Sequence, residues 1–254
     1  LGIVFRAFDD GIGFRYVIPA QPTVGRIAVK DEVTQFSLTH DAYAWSIPTN
    51  RTQYFEGIYT RQRVSDLDTV CTPLTIEYEP GLYMAIHEAA LEDYAGINLA
   101  SRGTTLVTAL TPWSDGTKVY ASQSMKSPWR IIMMADTPGG LITSRMMLNL
   151  NEPCKLEDTS WIHPTKYMGV WWEMIVGKGT WSYTNDLPSV HLGQTDYTKC
   201  NPNGTHSANN EKVKRYIDFA AKNGLDQVLV EGWNEGWEDW FGHEKDYVFD
   251  FVTP

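Results

Sequence analysis

Near Asp158 the chain changes its periodicity, and this constrains the fold more than any other feature. Before it, short segments rich in β-branched and aromatic residues recur: Ile3–Phe8, Gly13–Ile18, Glu32–Leu38, Leu74–Tyr78, Leu82–Ile86, Thr105–Leu110 and Arg130–Met134. Turn chemistry separates them, as in Asp9-Asp10-Gly11, Glu79-Pro80-Gly81, Ser114-Asp115-Gly116 and Pro138-Gly139-Gly140. Many short strands with such turns indicate a β-sandwich. Beyond Asp158 the chain reads strand, helix, strand. Gly169-Val170-Trp171-Trp172-Glu173 reads as a strand ending in aromatics. Asn209 or Asn210 then caps a helix with Val213, Tyr216, Ile217 and Ala220 on one face, and Gly224 stops it. The apolar run Gln227–Val230 fits a strand buried on both faces of a parallel sheet. Such a unit opens a β/α barrel or a doubly wound fold, and a barrel closes only with roughly eight of them.

The expectation is therefore multidomain: β over residues 1–157, and the start of an incomplete α/β domain over 158–254. Both termini read as interior sequence, with Leu1–Phe8 already strand-like and Tyr247–Pro254 lacking a terminal helix or polar tail. A net charge of −10 argues against nucleic acid, which calls for a basic stripe. Cys71, Cys154 and Cys200 form no metal-binding spacing; one disulfide is possible and none is required. No apolar run reaches the roughly 20 residues of a membrane span, and no signal peptide opens the chain. Phosphate loops, serine-nucleophile elbows and zinc motifs are absent.

Val228–Trp240 carries the strongest functional signal. An apolar strand runs into Glu231, Glu235, Glu238 and Asp239, interleaved with Trp233, Trp237 and Trp240. Barrel enzymes place reactive groups where strands end, and indole faces cover the apolar CH faces of sugars. Glu231, first past the strand, is the leading candidate for gripping a sugar, with an ion-paired structural acid as the alternative; Glu235, Glu238 and Asp239 follow on a loop that either contacts substrate or faces solvent. Trp171 and Trp172 end the preceding strand in the same way, and strand alternation would turn one to the pocket and the other to the helical layer, unless both are structural. In the β half, Glu88 reads as a solvated edge charge or, if turned toward a neighbouring domain, as a hard oxygen ligand for Ca²⁺. Pro128-Trp129-Arg130 suits stacking and hydrogen bonding to a sugar, or a packed cation–π pair. Asn203-Gly204-Thr205 matches a glycosylation sequon.

Ile86-His87-Glu88-Ala89-Ala90-Leu91, Ser127-Pro128-Trp129-Arg130, Val170-Trp171-Trp172 and Glu231–Glu238 together resemble glycoside hydrolase family 97 in order and spacing. The resemblance covers essentially the whole chain. It implies part of an N-terminal β-supersandwich followed by the first units of a (β/α)8 TIM barrel. It also implies an exo-acting enzyme that removes terminal α-linked glucose from oligosaccharides, with retaining α-galactosidase as the alternative. A catalytic Ca²⁺ is implied, with Glu88 as a ligand from the sandwich. Glu231, Trp171, Glu235, Trp129 and Arg130 are expected around the sugar. The acid and base fall beyond residue 254, and the setting is periplasmic or secreted. A rival of another class is a non-catalytic carbohydrate-binding protein, which the many indoles would also suit.

Overall fold

A computed structural model of the chain describes residues 1–49, 56–180, 183–186, 196–207 and 209–230. The chain divides into two compact units, the first ending at Lys155 and the second beginning at Leu156.

The first unit contains β1 (Gly2–Phe8), β2 (Gly11–Ile18), β3 (Arg26–Val29), β4 (Gln35–Ser37), β5 (Tyr43–Ser46), β6 (Thr60–Arg63) and β7 (Thr69–Cys71). It continues with β8 (Leu74–Glu79), β9 (Leu82–Ala89), β10 (Ile97–Arg102), β11 (Thr105–Leu110), β12 (Val119–Ser122), β13 (Met125–Lys126) and β14 (Trp129–Ala135). Two short helices follow, α1 (Pro138–Thr143) and α2 (Met146–Leu150). An eight-stranded sheet has the order β1-β2-β14-β9-β8-β5-β6, with β13 also paired to β2. A four-stranded sheet runs β4-β11-β10-β7, and β12 pairs with β3 in a separate ribbon.

Side-chain alternation explains how the large sheet is buried. Along β14, Trp129, Ile131 and Met133 face one side, where Met146 and Leu150 of α2 cover them. Ile132 faces the other side, with Ala44, Leu74, Ile76 and Ile86. That side meets Phe36, Val70, Leu99 and Leu106 of the smaller sheet. Two sheets closed over one apolar layer make a sandwich-like body.

Several strands carry no clear sequence signal. The polar β6, Thr60-Arg61-Gln62-Arg63, forms an edge. Arg61 lies 3.7 Å from the Tyr43 ring centre and pairs with Glu77 at 2.6 Å, so charge guards the open edge while the arginine stem packs. The stretch expected as a strand over Glu32–Leu38 is shorter, because Glu32 and Thr34 turn their polar groups inward. Pro138-Gly139-Gly140, read from sequence as a turn, instead starts α1. Thr137 Oγ1 accepts from Gly140 N–H at 3.2 Å, and Pro138 fills the first helical turn, where no N–H partner is needed.

In the second unit, β15 (Tyr167–Gly169) pairs in parallel with β16 (Gln227–Leu229). Between them lie α3 (Trp172–Ile175) and α4 (Asn210–Lys222). The strand expected over Gly169–Glu173 therefore begins two residues earlier, ends already at Gly169 and gives way to a helix. Asn209 caps α4 by accepting from Lys212 N–H at 2.9 Å. Gly224, at φ +66°, closes it: Leu225 N–H reaches Ala220 O at 2.9 Å, and Gly224 N–H reaches Ala221 O at 3.5 Å. Val213 and Tyr216 pack with Val170, Met174, Val228 and Val230. Ile217, expected on this face, is half exposed. It sits roughly 60° around the helix from Ala220, at the margin of the apolar stripe.

Candidate functional site: a buried carboxylate–arginine–carboxylate cluster

β9 runs on through Ala89, so Glu88 lies within a strand and not past its end. Arg130 stands directly opposite it on β14. Opposite charges facing each other across a strand pair attract, and this pair looks into the sandwich. Glu88 is 8% exposed and Arg130 is fully enclosed, so the solvated edge charge considered for Glu88 is corrected to a buried ion pair.

Glu32, just ahead of β4, completes the cluster. Arg130 Nε donates to Glu32 Oε1 at 2.8 Å and Nη2 to Oε2 at 2.6 Å, a side-on fork. Nη1 donates to Glu88 Oε2 at 2.7 Å. Thr34 Oγ1 donates to Glu32 Oε1 at 2.8 Å, and the Tyr94 hydroxyl donates to Oε2 at 2.9 Å. Ile97 N–H donates to Glu88 Oε1 at 3.0 Å. Glu32 therefore has every oxygen engaged at least twice, whereas each Glu88 oxygen accepts one hydrogen bond here.

Environment separates the two acids. Burial alone would push Glu32 up, but the hydrogen bonds and charge of Arg130, helped by Thr34 and Tyr94, hold it below the usual glutamate range. Glu88 moves the other way: burial pushes it up and Glu32 adds repulsion, outweighing Ile97 N–H and Arg130. Burial and the Glu32 charge also raise the Tyr94 phenol.

The calcium implied by the family resemblance can be tested against this geometry. Glu88 is a hard anionic donor with a lone pair left on each oxygen, so it fits as one calcium ligand. Ca²⁺ takes about six to eight oxygens, and among the described residues no group of three acidic, His or Cys side chains gathers around a point. Glu88 fits as a contributor, not as a complete site.

Trp129 and Arg130, both expected to meet sugar, are enclosed. Neighbouring strand residues point to opposite faces, so they cannot grip one ligand together. Trp129 turns to the α2 side, where Arg6 and Arg15 stack over it at 5.0 and 4.4 Å. The cation–π pairing foreseen there exists, with different arginines. Beside the cluster opens a cavity of about 1560 Å³, lined by Tyr94, Gly96, Arg15, Trp113, Tyr120 and Glu152 among others. A Cβ on Gly96 would lie 3.8 Å from Glu88 Oε1, so this residue forms a thin wall between carboxylate and cavity.

In the second unit, Trp171 and Trp172 are 40% and 68% exposed, and both follow the end of β15. Strand alternation does not apply to them. Below them Glu173 ties α3 to α4, accepting from Lys212 Nζ at 2.7 Å, Ser207 Oγ at 3.0 Å and the Tyr216 hydroxyl at 2.9 Å. Burial pushes the Glu173 carboxyl up and these donors pull it down, with the donors prevailing so that it sits below the usual glutamate range, while Tyr216 is pushed up to about 12. Because folding favours the anion, its stabilisation is complete above the ordinary value of 4.5 and is lost as pH falls below it. Glu173→Gln should lower unfolding free energy by about 1.5 kcal/mol at pH 7, with the gap closing on acidification, as urea titrations at several pH values will read. A pH-independent gap would contradict this account. Glu231 and Glu235 lie outside the described residues.

Residues 1–153 match the model of the glycosyl-hydrolase 97 N-terminal domain, and residues 171–254 match that of glycoside hydrolase 97. The chain belongs to glycoside hydrolase family 97. It is 27% identical to the retaining α-galactosidase of Bacteroides thetaiotaomicron, over 92% of this chain and 36% of that protein. A family 97 enzyme from Pseudoalteromonas sp. strain K8, solved with acarbose, matches at 39% identity and TM-score 0.77, covering 97% of this chain and 35% of that one. A variant of that enzyme solved with panose matches equally, at 39% identity and TM-score 0.77, over the same shares. The chain thus spans about a third of the length of these relatives. Its sandwich-like β unit corresponds to the N-terminal domain of family 97.

Proposed function

We propose that this chain belongs to an exo-acting glycoside hydrolase that removes terminal α-linked glucose from oligosaccharides in a periplasmic or extracellular setting. The second unit is the opening of the (β/α)8 catalytic barrel. The observation that carries the glucoside reading is 39% identity to an enzyme whose structures hold acarbose and panose. The second reading, a retaining α-galactosidase, rests on relatives of that name, of which the Bacteroides protein is 27% identical. Membership of a glycosidase family favours both over a non-catalytic sugar binder.

Hydrolysis of such a bond passes through an oxocarbenium-like transition state flanked by two carboxyl groups, expected on barrel strands beyond residue 254. Within this chain, Glu231 and Glu235 would hydrogen-bond the terminal sugar and Trp171 would cover its apolar face. Glu88 would donate one carboxylate to Ca²⁺, which when bound supplies Lewis-acid and positioning chemistry. Arg130 and Trp129 act from inside the sandwich and do not touch sugar.

The test is the polypeptide that carries this chain together with its downstream barrel, assayed on aryl α-glucoside and aryl α-galactoside. Glucoside turnover should dominate, and Glu231→Gln should lower kcat/KM about tenfold, as loss of one charged contact to the transition state does. Dominant galactoside turnover would select the second reading, and unchanged kcat/KM would remove Glu231 from the site.

A further inference from the structure

The buried cluster does not balance its charge. Glu32 and Glu88 carry two negative charges, and among the described residues Arg130 is the one cation paired with them. All three side chains are at most 8% exposed. Buried charges need partners, so one negative charge in this cluster calls for a cation from outside it.

The geometry says where that charge resides. Glu32 takes two of the three guanidinium nitrogens in its fork and has Thr34 and Tyr94 on its remaining lone pairs. It is saturated and neutralised. Glu88 receives only the third nitrogen, at 2.7 Å, and one backbone N–H, at 3.0 Å. The unspent charge and lone pairs therefore belong to Glu88. Gly96, which lacks a side chain, stands between that carboxylate and the open cavity.

We infer that Glu32 and Arg130 are positioning residues for cation binding at Glu88: Glu32 holds Arg130 so that Glu88 is oriented yet left anionic. This inference rests on the calcium reading of Glu88 given above. Were Glu32 neutral, the whole guanidinium charge would turn to Glu88 and compete with the metal. A ligand's hydrogen-bonded neighbours commonly set metal affinity by a factor of about 10–100.

The test is calcium titration calorimetry on the chelator-stripped polypeptide that carries the downstream barrel, with no substrate present. Glu88→Gln should abolish binding or weaken it at least a hundredfold. Glu32→Gln, which touches no metal, should weaken it ten- to a hundredfold. Tyr94→Phe removes one hydroxyl from Glu32 and should weaken it about threefold, which keeps the test open if Glu32→Gln does not fold. Melting curves in chelator report whether each variant is folded. If Glu88→Gln destroys binding while folded Glu32→Gln and Tyr94→Phe stay within twofold of the parent, the positioning role is overturned and the calcium reading stands. If the parent binds no calcium, or Glu88→Gln leaves binding unchanged, the calcium reading falls and takes this inference with it.

Discussion

Arg130→Met should lower the free energy of unfolding by about 3–5 kcal/mol, the loss expected when one partner of a buried ion cluster is removed. The guanidinium is fully enclosed and makes three charged hydrogen bonds, at 2.8, 2.6 and 2.7 Å. Without it, two carboxylates face each other with no buried cation between them. Methionine fills much of the arginine stem's volume, so the loss should be electrostatic and not a cavity effect. Acid should therefore shrink it: once Glu32 and Glu88 take up protons, the missing charge matters less. The combined variant Glu32→Gln, Glu88→Gln and Arg130→Met should recover most of the stability, because a cluster removed whole leaves no uncompensated charge. Urea unfolding at pH 7 and pH 4 separates these contributions. A loss under about 1 kcal/mol at pH 7 would show that the cluster is energetically idle, and a larger loss indifferent to pH would show that packing and not charge is lost.

This cluster also shows what the sequence could and could not say. Glu88, just past an apolar run, and Arg130, opening another, stand out in the sequence, and the family resemblance includes both. Their pairing follows from the β9–β14 register, which no local pattern encodes. Glu32 was missed because it lies 98 residues from Arg130, inside a stretch whose alternation reads as an ordinary strand. Trp129 and Arg130 were read together as adjacent letters, whereas the strand sends them to opposite faces. By contrast the α4 cap at Asn209 and its stop at Gly224 were legible, since helix ends are settled by neighbours in sequence. The strand before Trp171 was misplaced because Val170-Trp171-Trp172 has high β propensity, and the Glu173 contacts to Lys212 and Tyr216 accompany a helical turn there.

Gly11→Ala should cost about 3 kcal/mol, a large loss for one methyl group at the start of a strand. Gly11 opens β2 at φ +149°, a backbone conformation that L side chains rarely adopt. A Cβ there would lie 2.1 Å from Ile132 O and 2.8 Å from Met146 Sδ. The sulfur can swing away, but the carbonyl belongs to β14 and moves only with its strand. β14 also carries Arg130, and β2 pairs with it, Ile12 opposite Ile132 and Gly11 opposite Met133. Relief of the clash therefore displaces the strand that aims Arg130 at Glu32 and Glu88. Gly81→Ala provides the control: its φ is +80°, but nothing lies within 4 Å of the added atom. That substitution should cost only the backbone strain, about 1 kcal/mol. Equal losses at the two glycines in urea titration would mean that conformation alone matters at Gly11. A loss at Gly11 exceeding that at Gly81 by about 2 kcal/mol would tie the close approach of the hairpin to the strand that holds the ion cluster.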